Sequence, residues 1–373
     1  MLKTGFIGWR GMVGSVLMDR MKEENDFYGF EPLFFTTSQT GQKAPDIGID
    51  TPVLQDAFDI FKLSQMDIIV TCQGSSYTEK VLPDLRKKGW NGFWIDAASK
   101  MRMDKESIIV LDPVNQEVID KAINCGIKNF IGGNCTVSLM LMAVGTLLKK
   151  GLVDWITSIT YQSASGAGAK NMRELLSQMN HVGEKLKKFV DDPQTPILAI
   201  DKKVTETILS PAFPVKNFPA PLAGSAIPFI DKLMDSGQTK EEWKGYAETN
   251  KILQTKKPVP IDGICVRIGA MRCHSQALTI KLNENLALDE ICKMIEESNE
   301  WVKIIPNTPE DTAKYLTPAA VAGKLDIALG RIRKLNIGPK YLSAFTVGDQ
   351  LLWGAAEPIR RILKIIVSNE SIS

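Results

Sequence analysis

Histidine is nearly absent from this 373-residue chain, which has two, and its six cysteines include no CxxC pair. The cysteines, at 72, 125, 135, 265, 273 and 292, are too scattered to suggest a zinc site, so no metal is expected. They are also too sparse for a disulfide framework, which fits a reducing compartment. Neither sign of charge prevails, with 45 Lys+Arg against 43 Asp+Glu. No basic block or aromatic-interleaved stripe argues for a nucleic-acid partner. The longest apolar run, around Val137 to Leu148, is too short and too glycine-interrupted to span a bilayer. The apolar opening stretch is broken at Trp9-Arg10-Gly11, too early for the core of a signal peptide. Internal repeats and low-complexity linkers are lacking. These absences predict a soluble, cytoplasmic protein with no membrane partner.

What remains is ordinary globular sequence, 44% hydrophobic and 24% charged, long enough for about two closely packed domains. Lys3 to Ile7 reads as a strand. It is followed by Gly8-Trp9-Arg10-Gly11-Met12-Val13-Gly14 and a helix to about Lys22. Glycines at that turn let a backbone approach a pyrophosphate and let helix pack on strand. The second strand, Leu33 to Phe35, ends in Thr36-Thr37-Ser38-Gln39 instead of the acidic residue that holds an NAD ribose. With Arg10 nearby, NADP is the better expectation, an ordinary polar loop the alternative. Further buried strands at Asp67–Cys72, Phe93–Asp96 and Ile108–Leu111 alternate with helices at 78–88 and 115–124. That alternation predicts a doubly wound parallel sheet, with Gln73-Gly74-Ser75-Ser76 at a strand's ligand-binding end.

Cys135 lies in Gly132-Gly133-Asn134-Cys135-Thr136, and the apolar residues after it (137, 140, 141, 144, 147, 148) are spaced as one buried helical face. Lys149-Lys150-Gly151 closes that helix. Backbone N–H groups and the dipole at its start would lower the thiol pKa and supply donors to an oxyanion. His274, in Arg272-Cys273-His274-Ser275-Gln276, is a candidate partner distant in sequence. A small buried cysteine without chemistry is the competing reading.

Residues 156–162 alternate as a strand and run into Ser163-Ala164-Ser165-Gly166-Ala167-Gly168, then a long helix to about Val190. Gln162, Ser165 and Gly166 sit at that transition, either as site residues or as a connecting loop. Thr239 and Glu242 are spaced as a capping box, and Glu241 and Lys244 share a helix face. By spacing alone the pair reads as a surface ion pair. Ile264 to Ile268 is a strand carrying Arg267, and Gln276 to Leu282 returns after Gly269, so Arg267 and His274 flank one hairpin-like unit. Arg267 is placed for forked binding of a carboxylate, or is a solvated edge residue. Asp349 is expected to cap a final amphipathic helix from Leu351 to about Ile366.

Taken together, the Gly8–Gly14 loop, Gly-Gly-Asn-Cys-Thr, Tyr161-Gln162-Ser163-Ala164-Ser165-Gly166, Glu241 to Lys244 and Arg272-Cys273-His274-Ser275 resemble the bacterial aspartate-β-semialdehyde dehydrogenases. The resemblance runs from Gly5 to about Arg361. It implies an α/β fold: a Rossmann-like NADP-binding domain over 1–133, an α+β catalytic and dimerisation domain over 134–354, and a C-terminal helix, 355–373, returning to the first domain. It implies a homodimer that reduces L-aspartyl 4-phosphate to L-aspartate 4-semialdehyde with NADPH, releasing inorganic phosphate, in the synthesis of lysine, methionine, threonine and diaminopimelate. Cys135 would be the nucleophile, supported by Asn134, with His274 as acid/base group and Gln162 positioning the substrate. Arg267 would hold the substrate carboxylate, Glu241 its ammonium group, and Arg102 and Lys244 the phosphate. Gly8, Arg10, Gly11, Met12, Val13, Thr37, Ser38, Gln73, Ser165, Gly166, Pro193 and Gln350 would line the NADP site. The rival readings are another phosphorylating aldehyde dehydrogenase, a non-catalytic NADP-binding sensor, and a thiol hydrolase.

Overall fold

A computed structural model describes residues 1–370 and arranges fourteen strands in two seven-stranded sheets. The first is built from β1 (Lys3–Ile7), β2 (Glu31–Thr36), β3 (Gln55–Asp56), β4 (Ile68–Thr71), β5 (Phe93–Asp96), β6 (Ser107–Val110) and β7 (Asn129–Gly132). Every pairing is parallel, in the order β3-β2-β1-β4-β5-β7-β6. Helices cover both faces of such a sheet, so its strands read as unbroken apolar runs. Accordingly β4, β5 and β7 are buried at every position. The order reverses at β1, which lies between β2 and β4, and the carboxyl ends of those three strands form the crevice where open parallel sheets bind ligands.

The second sheet is mixed. It comprises β8 (Val153–Gln162), β9 (Ala226–Ile227), β10 (Ile261–Ile268), β11 (His274–Leu282), β12 (Val302–Ile304), β13 (Ile327–Leu335) and β14 (Gly338–Gly348), in the order β12-β13-β14-β11-β8-β10-β9. Here the expected hairpin is corrected. β10 and β11 do not pair; β8 is inserted between them, parallel to β10 and antiparallel to β11. Gly269 to Cys273 crosses the end of β8, where its carbonyls at Ala270 and Met271 accept from the backbone N–H groups of Ala164 and Ser165. Two strand spacings are about 10 Å, within reach of that short connection. Gln162, Arg267 and His274 consequently emerge at one end of three adjacent strands, with Arg267 in register with Gln162.

The helix Cys135–Lys149 lies against the second sheet and is buried nearly all round, more than the single apolar face read from its periodicity. It packs on β13, β14 and the helices Asp112–Asn124, Lys240–Leu253 and Leu288–Glu296, so no side is left for solvent. The last helix, Glu357–Glu370, buries Ile359, Ile362, Leu363 and Ile366 in one cluster with Phe6, Leu17, Ile68 and Phe130. Arg360 anchors it to Asp26 at 2.7 Å, and Arg361 to Asp112 at 2.6 Å. Residues 371–373, the end of the predicted C-terminal segment, lie outside the described residues. Asp349 accepts the Leu351 N–H at 3.0 Å, and one π-helical stretch, Leu352–Ala356, precedes the helix proper. Among the described residues, no helix is long and apolar enough to cross a membrane.

Candidate active site

Two cavities gather most of the predicted residues. One, of about 340 Å³, lies at the carboxyl ends of β1, β2 and β4 and is lined by Gly8, Arg10, Gly11, Thr37 and Gln73 among others. Gly8 has φ +76°, and a Cβ there would stand 2.6 Å from the Cys72 and Gln73 backbone, so only glycine keeps this wall open. Arg10 donates to Thr36 Oγ1 at 3.3 Å and Ser38 Oγ at 3.2 Å, and also to Gln39 Oε1. Its guanidinium therefore sits among neutral acceptors at the end of β2, with no carboxylate bonded to it among the described residues.

The second cavity, of about 600 Å³, opens between the sheets. It brings together Met12, Val13, Arg102, Asn134, Cys135, Gln162, Ser165, Gly166, Glu241, Lys244, Arg267 and Gln350. Pro193 stands apart. It is exposed and borders neither cavity, because it follows a 22-residue helix, Ala169–Val190, which runs roughly 33 Å away from Gly168.

Cys135 opens its helix directly after Asn134, whose Oδ1 accepts from the N–H groups of Thr136 (3.0 Å) and Val137 (3.2 Å) as an N-cap. The expectation of an acidified thiol is corrected. Burial and the Glu241 carboxylate push Cys135 up to about 12, while Arg102, Arg267 and Lys244 oppose them. The helix N-terminus also favours the thiolate, and Cys135 keeps part of its surface open to the cavity.

His274 is fully buried at the start of β11. Its Nδ1 accepts from the Ser163 backbone N–H at 3.1 Å, so the ring proton sits on Nε2. Among the described residues, Nε2 has no hydrogen-bond partner. A Cβ on Gly166 would lie 2.9 Å from that nitrogen and from Arg267 Nη1, which makes Gly166 the point where the backbone passes both side chains. Burial, then the Arg267 charge, hold the imidazole down at about 3, against a weaker pull from the Cys273 carbonyl and Glu241. Cys273, at φ +72°, turns the chain into His274, and its N–H is held by Gln350 Oε1 at 2.8 Å. Gln350 Nε2 also donates to Ser165 Oγ, which is 2.9 Å from Ser163 Oγ.

Glu241 and Lys244 are only 7% and 9% exposed, which overturns the surface-pair reading. Their 2.7 Å ion pair faces the cavity, and Asp231 binds Lys244 at 3.0 Å from the other side. Burial alone would raise Glu241, but Lys244, Asn134 and Gln162 outweigh it and leave the carboxylate at about 2. Burial works against Lys244 too, yet its two carboxylate neighbours hold it above the usual lysine range. Arg267 is buried, donates to the Ser163 carbonyl at 2.7 Å, and is depressed by desolvation.

Sequence reasoning missed Ser163, Asp231 and Glu248. Ser163 sits inside a motif already singled out, and Glu248 continues the i, i+3, i+7 face of Glu241 and Lys244. Asp231 lies in an irregular stretch that carries no local signal.

Known proteins share this arrangement of domains. Residues 3–122 match the family described as semialdehyde dehydrogenase, NAD binding domain, and residues 144–353 match semialdehyde dehydrogenase, dimerisation domain. Cys135 falls between the two stretches. The chain is 52% identical to the aspartate semialdehyde dehydrogenase from Francisella tularensis, over 98% of this chain and all of that one, with a TM-score of 0.93. At 23% identity it shares the fold of aspartate semialdehyde dehydrogenase II from Vibrio cholerae, solved with ASA (TM-score 0.77, 99% of this chain and 98% of that one). At 16% it shares that of the Candida albicans enzyme, solved with NADP (TM-score 0.64, 98% of each chain). With both of its domains matched and half its residues shared with one such enzyme across the whole fold, the chain belongs to the aspartate-semialdehyde dehydrogenase family.

Proposed function

We propose that this chain interconverts L-aspartyl 4-phosphate and L-aspartate 4-semialdehyde with NADP(H), through a thioester on Cys135. The observation that carries the proposal is the cavity in which one thiol at a helix N-terminus meets three cations, Arg102, Lys244 and Arg267, and the Glu241 carboxylate. A substrate bearing a carboxylate, an ammonium and a phosphoryl group asks for that mixture.

The residues around the first cavity fit a dinucleotide. Gly8 gives the close approach, Gly11 and Arg10 flank it, Thr37 and Gln73 supply polar walls, and Ser38 stands behind them as an acceptor for Arg10. A guanidinium among neutral acceptors, where NAD proteins carry a carboxylate, favours the 2′-phosphate of NADP. Met12, Val13, Ser165, Gly166 and Gln350 continue that surface toward the thiol; Pro193 is not included. When bound, the nicotinamide supplies or accepts the hydride.

In the reductive direction the Cys135 sulfur bonds to the acyl carbon while the carbon–oxygen bond to phosphate breaks, and Arg102 and Lys244 receive the inorganic phosphate released. Gln162 and Asn134, both bonded to Glu241, steady the carbonyl and the loop beside the sulfur. His274 donates from Nε2 to the carbonyl oxygen as charge develops there. The thiol proton leaves with the phosphate as hydrogen phosphate, so the imidazole keeps the single Nε2 proton that the Ser163 N–H imposes. Arg267 holds the substrate carboxylate and Glu241 its ammonium. An N-acetylated substrate lacks that ammonium, so Glu241 separates the two substrate classes.

The nucleotide domain comprises 1–133 with the C-terminal helix, and 134–354 form the catalytic and dimerisation domain. A homodimer is supported by the matched dimerisation domain and by neighbouring Ile159 and Ile264, which expose 39% and 51% of their surface on one face of the second sheet. The reaction places the enzyme in the cytoplasmic synthesis of lysine, methionine, threonine and diaminopimelate.

The test is NADPH formation from L-aspartate 4-semialdehyde and NADP⁺, with and without inorganic phosphate. Phosphate-dependent formation is expected. Turnover only with N-acetylglutamate semialdehyde or glyceraldehyde 3-phosphate would overturn the substrate, and silence with all three would favour a sensor.

A further inference from the structure

We propose that Glu248 is a positioning residue that ties the phosphate-holding side of the site to the nucleophile loop. Its side chain is almost wholly buried on the helix Lys240–Leu253, and its two oxygens serve different partners. Oε1 accepts from Arg102 Nη1 at 3.1 Å, and Oε2 accepts from the Asn134 backbone N–H at 2.7 Å. Arg102 is held a second time by the carbonyl of Gly132, to which its Nε donates at 2.7 Å. Both anchors of the guanidinium thus act on Gly132 to Asn134, the three residues before Cys135.

A guanidinium has five N–H donors. Two of Arg102's are committed inward, which leaves the others for the cavity it lines. The Asn134 N–H precedes the helix and has no intrahelical acceptor, so without Glu248 it would be a buried orphan. Burying a carboxylate is costly, and an apolar side chain would fill the same space at less expense. What Glu248 supplies, and an apolar residue does not, is one rigid bridge from Arg102 to the backbone that aims the sulfur.

The inference rests on the reading that Arg102 receives phosphate. Glu248→Gln in the full-length enzyme keeps the size but has one acceptor in place of two. It is expected to raise KM for inorganic phosphate about tenfold, the scale of one buried charged hydrogen bond, with KM for the aldehyde and Kd for NADP⁺ unchanged. Combined with Arg102→Leu it should raise phosphate KM no further than Arg102→Leu alone, because both act through one contact. An unchanged phosphate KM, or multiplying effects in the double variant, would overturn the proposal. Should Glu248→Gln fail to fold, Glu248→Asp keeps the charge but cannot reach both partners, and the same rise is expected. Protection of Cys135 from alkylation by phosphate reads affinity without turnover. If the native enzyme shows no phosphate-dependent turnover, the assigned reaction fails, and that protection alone decides. Weaker protection in the variants upholds the bridge; equal protection, or none in either protein, overturns it.

Discussion

The backbone N–H of Ser163 donates to Nδ1 of His274 at 3.1 Å, which leaves the imidazole proton on Nε2, the nitrogen without a partner. A main-chain donor cannot titrate away, so this contact favours the neutral ring over the imidazolium, which would carry a proton on both nitrogens. Burial and Arg267 act in the same direction.

His274 should therefore stay neutral across the working range. With only two histidines in the chain, ¹⁵N-histidine NMR gives two imidazoles, and the one lost in His274→Asn is assigned at once. Its shifts should be constant from pH 8 to pH 5; a midpoint near 6.5 would contradict the geometry. The sign for stability follows. The unfolded ring binds its proton near pH 6.5 and the folded ring near 3, so stability is complete above 6.5 and falls as pH drops from there toward 3. Glu241 adds its own loss only below about 4.5. Urea midpoints between pH 6.5 and 4.5 should thus decline less in His274→Asn than in the native protein.

Burial holds the Cys135 thiol up at about 12, with Glu241 adding to it. Inactivation of the ligand-free enzyme by iodoacetamide should climb steadily from pH 7 to 10, without a plateau near 7 or 8. Glu241→Gln should speed it at fixed pH by removing the opposing charge. A plateau near neutrality would show that the helix N-terminus and the three cations outweigh burial.

Among the described residues, Arg10 bonds only neutral acceptors, at the end of β2. Losing a charged hydrogen bond to a phosphate costs about 1.5–3 kcal/mol, roughly 10- to 100-fold in affinity. Arg10→Ala should weaken NADP⁺ binding on that scale and leave NAD⁺ nearly untouched. Equal losses for both, measured by titration calorimetry, would remove Arg10 from the 2′-phosphate.

Gly166→Ala places a methyl group 2.9 Å from His274 Nε2 and Arg267 Nη1. Displacing either by a fraction of an ångström should lower kcat on the order of 10²-fold. Near-native turnover would mean that the loop moves aside and that its approach to the imidazole is not part of the chemistry.

Much of the fold was legible because its signals are local. Strands buried on both faces write themselves as apolar runs, as at Ile68–Val70, and glycine punctuates the turn after β1. The insertion of β8 between β10 and β11 was not legible, since the pairing of distant strands leaves no trace in either strand's alternation. Glu241 and Lys244 failed for the same reason: their spacing fits a solvated pair or a buried one, and only the walls around them decide. The thiol's surroundings were only half legible, because the helix N-terminus can be read from sequence, whereas the walls and the Glu241 carboxylate that oppose it cannot. Ser163 acts largely through its backbone, which no residue pattern records.

The covalent intermediate is the central claim, and mass spectrometry of the enzyme mixed with L-aspartate 4-semialdehyde and NADP⁺ without phosphate tests it most directly. With no phosphate to release the acyl group, one aspartyl adduct per chain should accumulate on the peptide carrying Cys135, together with one equivalent of NADPH. Cys135→Ala should give neither while still binding NADP⁺. NADPH formed with no adduct, or an adduct on any of the other five cysteines, would contradict the assignment of Cys135 as the nucleophile.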